Sequence, residues 1–274
     1  KKSIQKNNKG KKFSYPLLSD GFSSSDLKEA SKVLRSGRLT MSSVTKKFEN
    51  IFAKKMGVKF ALMVNSGSSA NLLALFCLIN PYRTKRLKKG DECLVPALCW
   101  STSLWPILQA GLKPVFIDVN LKTFSIDLNT IKKNITKKTR AVMILNILGN
   151  CSEMDEIKSF LKKKGIFLIE DSCEALGSKY KNKYLGTYGD LGTFSFYYSH
   201  QITSGEGGMI VCHSKQDYNI LTSLRAHGWD REINKKNKKG FHFINEGFNL
   251  RPLDLSAAIG LNQFKRLYRL KRTR

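Results

Sequence analysis

Phe194-Ser195-Phe196-Tyr197-Tyr198-Ser199-His200-Gln201-Ile202-Thr203-Ser204-Gly205-Glu206-Gly207-Gly208 joins two apolar runs through a polar loop. The first run, Thr193 to Tyr197, reads as a strand. The glycines make a tight turn into a second candidate strand, Met209-Ile210-Val211-Cys212. Between them stands His200, whose imidazole can move protons near neutral pH. A lone histidine is more often structural, so its meaning depends on what surrounds it.

Outward from this stretch the chain alternates short β-rich runs with helical ones. Further candidate strands are Phe60 to Val64, Glu92 to Val95, Pro114 to Asp118, Ala141 to Leu145 and Ile166 to Glu170. Helices are predicted near 27–36, 43–56, 68–79, 101–110, 128–134, 153–164 and 215–227, with a last one from Leu253 to about Leu270. That alternation is the pattern of a mostly parallel sheet covered on both faces, an α/β fold. The polar run Arg231 to Gly240 is the best loop candidate after the sheet.

With 274 residues, 41% of them hydrophobic, the chain can build a sizeable core, and its apolar runs are too short for a bilayer. No signal peptide or membrane span is expected, which places the protein in the cytoplasm. Six cysteines, Cys77, Cys93, Cys99, Cys151, Cys173 and Cys212, contain no CxxC pair. Reduced thiols are therefore expected, and zinc is not. The formal charge of +27 comes from 48 Lys and Arg spread along the chain. Clusters such as Lys132-Lys133, Lys137-Lys138, Lys162 to Lys164 and Lys235 to Lys239 fall on helix faces or loops. No nucleic-acid-binding signature accompanies them, so a solvated surface with a weak pull on anions is expected, and no nucleic-acid partner.

Several motifs fall at the carboxyl ends of the strands, where open α/β sheets bind ligands. Asn65-Ser66-Gly67-Ser68-Ser69-Ala70-Asn71 joins a strand to a helix. Its small residues suit a phosphate at a helix start, although the same residues also serve as simple caps. Trp100 follows the next strand and could lie on a planar ring, or be a core residue. Asp171 ends the strand before Glu174, and Ser195 lies five residues before His200.

In order and spacing, these fragments together with Gly247-Phe248-Asn249-Leu250-Arg251-Pro252 resemble the DegT/StrS family of nucleotide-sugar aminotransferases, from about Leu18 to the chain end. The resemblance implies the large domain of a fold-type I PLP-dependent transferase: a mostly parallel seven-stranded sheet with helices on both faces. It implies that residues 18–252 form this PLP-binding domain after a basic flexible tail at 1–17. Residues 253–274 would begin a linker helix to a C-terminal small domain that is largely missing. The cofactor implied is pyridoxal 5'-phosphate or pyridoxamine 5'-phosphate. Gly67, Ser68 and Ser195 would bind its phosphate, Trp100 its ring, Asp171 its pyridine nitrogen, and Glu174 would lie near its hydroxyl. Asn249 would serve the partner subunit's phosphate site in a homodimer.

Most of the family holds a Schiff-base lysine where this chain has His200. That substitution marks the His-type branch, the sugar 3-dehydratases, with His200 and Asp171 catalytic. The resemblance then implies removal of the C3 hydroxyl from a nucleotide-linked 4-keto-6-deoxyhexose in deoxysugar or surface polysaccharide synthesis, with an amino donor such as glutamate. A nucleotide-sugar aminotransferase and a truncated non-catalytic binding protein are the alternatives. Another His-type branch carries an iron–sulfur cluster, and Cys173 matches one of its ligand positions. After His227-Gly228-Trp229, however, the chain reads Asp230-Arg231-Glu232-Ile233 without a cysteine, so the ligand set is incomplete and no metal is expected.

Overall fold

Alternate residues of the strand Thr139–Leu145 point to opposite sides. Ala141, Met143 and Leu145 join one apolar cluster, and Val142 and Ile144 join another. A strand buried on both faces in this way belongs inside a covered parallel sheet. The structure, a computed structural model, describes residues 21–234 and 240–272. The expected tail at 1–17, the cluster Lys235 to Lys239, and Thr273-Arg274 lie outside the described residues.

Seven strands form the main sheet: β1 (Phe60–Val64), β2 (Glu92–Pro96), β3 (Lys113–Ile117), β4 (Thr139–Leu145), β5 (Phe167–Asp171), β8 (Leu191–Ser195) and β9 (Gly208–Cys212). Their order is β1-β9-β8-β5-β4-β2-β3, and only β9 runs against its neighbours. The sheet is thus mostly parallel, as its alternation with helices implies. A small antiparallel hairpin, β6 (Lys179–Tyr180) and β7 (Lys183–Tyr184), is an addition to the predicted elements. Its two-residue strands are too short to show a hydrophobic period.

One face of the sheet carries α3 (Gly67–Ile79), α4 (Ser101–Gln109) and α7 (Lys215–Arg225), packed through Leu73, Leu78, Ile107, Leu221 and Leu224. The other face divides between two helix pairs. Ile131, Ile157 and Leu161 of α5 (Leu128–Asn134) and α6 (Met154–Lys164) cover β2, β4 and β5. Helices α2 (Ser43–Met56) and α8 (Asp254–Lys265) cover β1, β9 and β8 with an aromatic cluster. There Phe52 stacks on Phe264 at 4.8 Å, and Phe48 meets Phe196 at 5.3 Å. Each such ring contributes about 1.5–3 kcal/mol through burial.

The predicted closing helix is instead two, α8 and α9 (Leu267–Arg272), broken at Arg266. The Arg266 guanidinium turns to the buried Asp26 of α1 (Ser24–Arg35) at 2.6 Å. Asp26 also closes a capping box with Ser23. Elsewhere the strand preceding His200 ends at Ser195 instead of Tyr197. The helix expected at 27–36 begins earlier, at Ser24, because Ser23 caps it. Among the described residues no helix is long and apolar enough to cross a membrane.

Candidate active site

The carboxyl ends of β1, β2, β4, β5 and β8, with the start of β9, surround a cleft of about 690 Å³. This size suits a cofactor together with part of a substrate. Gly67, Ser68, Trp100, Asp171, Glu174, Ser195 and His200 all line it. Every expected site residue except Asn249 therefore meets in one place.

The β1–α3 corner builds one end of the cleft. Ser66 caps α3 by accepting from the Ser69 N–H at 3.0 Å, and the Ala70 N–H returns to the Ser66 carbonyl. This leaves the N–H groups of Gly67 and Ser68 for an outside acceptor, on the positive end of a 13-residue helix. Gly67 must be glycine here: a Cβ would fall 2.6 Å from Ser195 Cβ and 2.9 Å from its hydroxyl. The helix start and Ser195 thus form one small cradle of donors.

Asp171 lies near the centre, largely buried, and its carboxylate is fixed by three donors. Oδ2 accepts from Asn71 Nδ2 at 2.7 Å and from Ser103 Oγ at 2.8 Å, and Oδ1 accepts from the Cys173 N–H at 3.2 Å. Asn71 is held in turn by Thr193, whose hydroxyl donates to Asn71 Oδ1 at 2.6 Å. Burial, and after it the nearby Asp171 carboxylate, push the Cys173 thiol well above its ordinary range. Cys173 is therefore a neutral thiol, neither nucleophile nor ready ligand.

Trp100 is the N-cap residue of α4 and is 74% exposed at the cleft. The alternative of a core tryptophan is thereby overturned: the chain turns outward after β2, and the indole goes with it. Glu174 accepts from the Leu148 N–H at 3.0 Å, which ties the end of β5 to the short turn Ile147–Gly149 after β4. His200 lies in the loop after β8, its N–H bonded to the Tyr197 carbonyl at 3.1 Å and its ring edge-on to Tyr197. Two further bonds anchor this loop. Gln201 donates to the Glu174 carbonyl, and the Thr203 N–H donates to Gln263 of α8 at 2.9 Å.

Asn71, Ser103 and Asn146 line the cleft without having been singled out in the sequence. Asn71 lies four residues after Gly67, on the same face of α3, and that spacing is the signal that could have found it. Ser103 and Asn146 carry no comparable signal. The buried Asn146 Oδ1 has no hydrogen-bond partner among the described residues. Asn249 is exposed and does not line the cleft of its own chain.

The donor set fits pyridoxal phosphate. A cradle of two helix N–H groups and a serine suits a phosphate, a fixed carboxylate suits a protonated ring nitrogen, and an exposed indole suits a flat ring.

The model of the DegT/DnrJ/EryC1/StrS aminotransferase family matches residues 22–274, and the chain belongs to that family. It is 43% identical over 266 residues to the GDP-4-keto-6-deoxy-D-mannose 3-dehydratase of Escherichia coli O55:H7, covering 93% of this chain and 68% of that protein. Among solved structures, an E. coli GDP-4-keto-6-deoxy-D-mannose-3-dehydratase with bound hydrated PLP superposes with a TM-score of 0.88 at 43% identity, covering 93% of this chain and 68% of that one. A GDP-4-keto-6-deoxymannose-3-dehydratase with a trapped PLP-glutamate geminal diamine gives a TM-score of 0.88 at 42% identity, over 93% of this chain and 69% of that one.

Proposed function

We propose that the chain is a PLP- and PMP-dependent dehydratase that removes the C3 hydroxyl of a nucleotide-linked 4-keto-6-deoxy sugar, with glutamate as amino donor. The observation that carries this reading is His200 on the wall of the cleft that also holds Asp171, Trp100 and the Gly67–Ser195 cradle.

When bound, the cofactor supplies an amine that can condense with a sugar ketone and a ring that withdraws electrons. The chain's own groups do the rest. Gly67, Ser68 and Ser195 would hold the phosphate, and Trp100 would orient the ring. Asp171, fixed by Asn71 and Ser103, keeps a proton on the ring nitrogen. Glu174, on the wall of the same cleft, would face the cofactor hydroxyl. His200 has no primary amine and cannot tether the cofactor, but its imidazole can deliver a proton to the departing C3 hydroxyl oxygen.

The reading extends to the assembly and its setting. Asn249 serves the phosphate site of a second copy in a homodimer, and residues 18–252 form the cofactor-binding domain, whose core α8 completes with Ala257, Leu261 and Phe264. The enzyme works in the cytoplasm and feeds surface polysaccharide synthesis.

Incubating the protein with PLP, glutamate and GDP-, CDP-, UDP- or dTDP-linked 4-keto-6-deoxy sugars tests this, with products read by mass spectrometry. A 3,6-dideoxy-4-keto product is expected. An amino sugar would decide for an aminotransferase, and PLP binding without turnover of any sugar for a binding protein.

A further inference from the structure

Asn249, Arg251 and His227 form a chain of hydrogen bonds on the surface, and none of the three lines the cleft of its own subunit. Arg251 Nε donates to Asn249 Oδ1 at 3.1 Å, and Arg251 Nη2 lies 3.2 Å from His227 Nε2. A guanidinium has only donors to offer. The Asn249 atom facing it must therefore be the carbonyl oxygen, so the amide nitrogen is turned away from Arg251. By the same argument His227 Nε2 is the acceptor in its contact with Arg251.

The base of this chain is rigid. His227 has a left-handed φ of 63°, and Gly228 follows at 80°. Backbones meet at this turn: a Cβ on Gly247 would lie 2.0 Å from the Gly228 nitrogen, and one on Gly228 would lie 1.7 Å from the Asn245 carbonyl oxygen. The His227 N–H also donates to the Phe248 carbonyl at 2.7 Å, and Ala226 bridges to Asn249. The imidazole is thus a fixed acceptor that orients Arg251, and Arg251 orients the Asn249 amide.

We propose that His227 is a positioning residue that, through Arg251, presents the Asn249 amide Nδ2 as a donor to the cofactor phosphate held by a second copy of this chain. The proposal rests on the reading of Asn249 given under Proposed function. Arg251 sets the orientation and adds a positive charge beside the donor, while His227 removes the guanidinium's freedom to swing away.

PLP affinity, read by absorbance titration of the full chain, tests both layers, with the dimer monitored by sedimentation. Asn249→Ala is expected to weaken PLP binding about tenfold, the effect of losing one hydrogen bond to a charged group. His227→Leu removes the acceptor and is expected to weaken binding about threefold or more, whereas His227→Gln restores an acceptor and should bind within about twofold of the parent protein. Leu and Gln carry the same left-handed backbone strain, so their difference isolates the acceptor. If Asn249→Ala binds PLP normally, the reading of Asn249 fails and the relay with it. If Asn249→Ala is weakened but the Leu and Gln variants of His227 behave alike, the relay alone is overturned.

Discussion

Asn71 Nδ2 and Asp171 Oδ2 stand 100 residues apart in sequence and 2.7 Å apart in the fold. The amide donates to the carboxylate and to the Thr102 carbonyl and accepts from Thr193 of β8, so α3, β5 and β8 meet at one side-chain amide. A carboxylate fixed in this way needs no reorganisation to meet a protonated ring nitrogen. Asn71→Leu should therefore lower kcat about tenfold or more, since a hydrogen bond to a charged group contributes about 1.5–3 kcal/mol. KM for the sugar should change little. A variant with unchanged kcat would show that the orientation of Asp171 does not matter to the reaction.

The sheet was legible because its strands are buried on both sides and flanked by helices with a clear period. Val142 and Ile144 face one layer while Met143 faces the other, and no loop reading accommodates that run. Asp171 and Ser195 were readable as strand-end residues, while His200, in the loop after β8, was singled out only through the family motif around it. The site was not legible where function is indirect. Ser103 matters only because it reaches a carboxylate 68 residues away, and no local pattern encodes that distance. The break at Arg266 was hidden for a similar reason: the residue is a good helix former, and its departure depends on Asp26 across the fold.

Gly67→Ala tests the phosphate cradle. The added methyl would lie 2.6 Å from Ser195 Cβ and 3.1 Å from Cys173 Sγ, so Ser195 or the start of α3 must move. Overpacking of this kind costs about 1–3 kcal/mol. PLP affinity should fall on the order of tenfold, measured by absorbance titration, with the far-ultraviolet circular dichroism retained. Normal affinity in that variant would place the phosphate elsewhere.

Replacing His200 by lysine separates proton transfer from tethering. The lysine amine can link covalently to the cofactor aldehyde, so borohydride reduction followed by peptide mass spectrometry should find the cofactor on residue 200 in His200→Lys and nowhere in the parent protein. The 3-deoxy product should fall by about two orders of magnitude or more as the positioned acid–base group is lost. Undiminished 3-deoxy product from the lysine variant would remove His200 from the chemistry.

Glu170, next to Asp171 on β5, is structural. It is fully buried and accepts from the N–H groups of Gly186 at 2.8 Å, Tyr188 at 2.6 Å and Gly189 at 2.6 Å. Burial pushes its carboxyl above the ordinary range while those donors pull it back. An amide cannot accept as many bonds, because half of it donates. Glu170→Gln should cost about 2–4 kcal/mol by leaving buried N–H groups unpaired. Its Tm should fall by about 5–10 °C in a thermal melt. A melt unchanged from the parent protein would mean that the loop 186–189 finds other acceptors.

His213, at the end of β9, gives the stability a pH dependence whose sign can be worked out. Burial holds its pKa below the ordinary 6.5; the Thr187 carbonyl raises it somewhat, and Lys183, Lys158 and Lys59 lower it further. The unfolded chain therefore takes up this proton at a higher pH than the folded one. The stabilising contribution is fully present above 6.5 and is lost as pH falls from there through the depressed folded value. His213→Gln cannot titrate, yet its amide can still donate to the Thr187 carbonyl that lies 3.3 Å from His213 Nε2. Urea unfolding at about pH 5, 6, 7 and 8 should show the parent protein losing stability relative to the variant on the acid side. The opposite order, a parent protein that gains on the variant as pH falls, would mean that the folded state favours the protonated ring and that burial, with the surrounding lysines, does not set its titration.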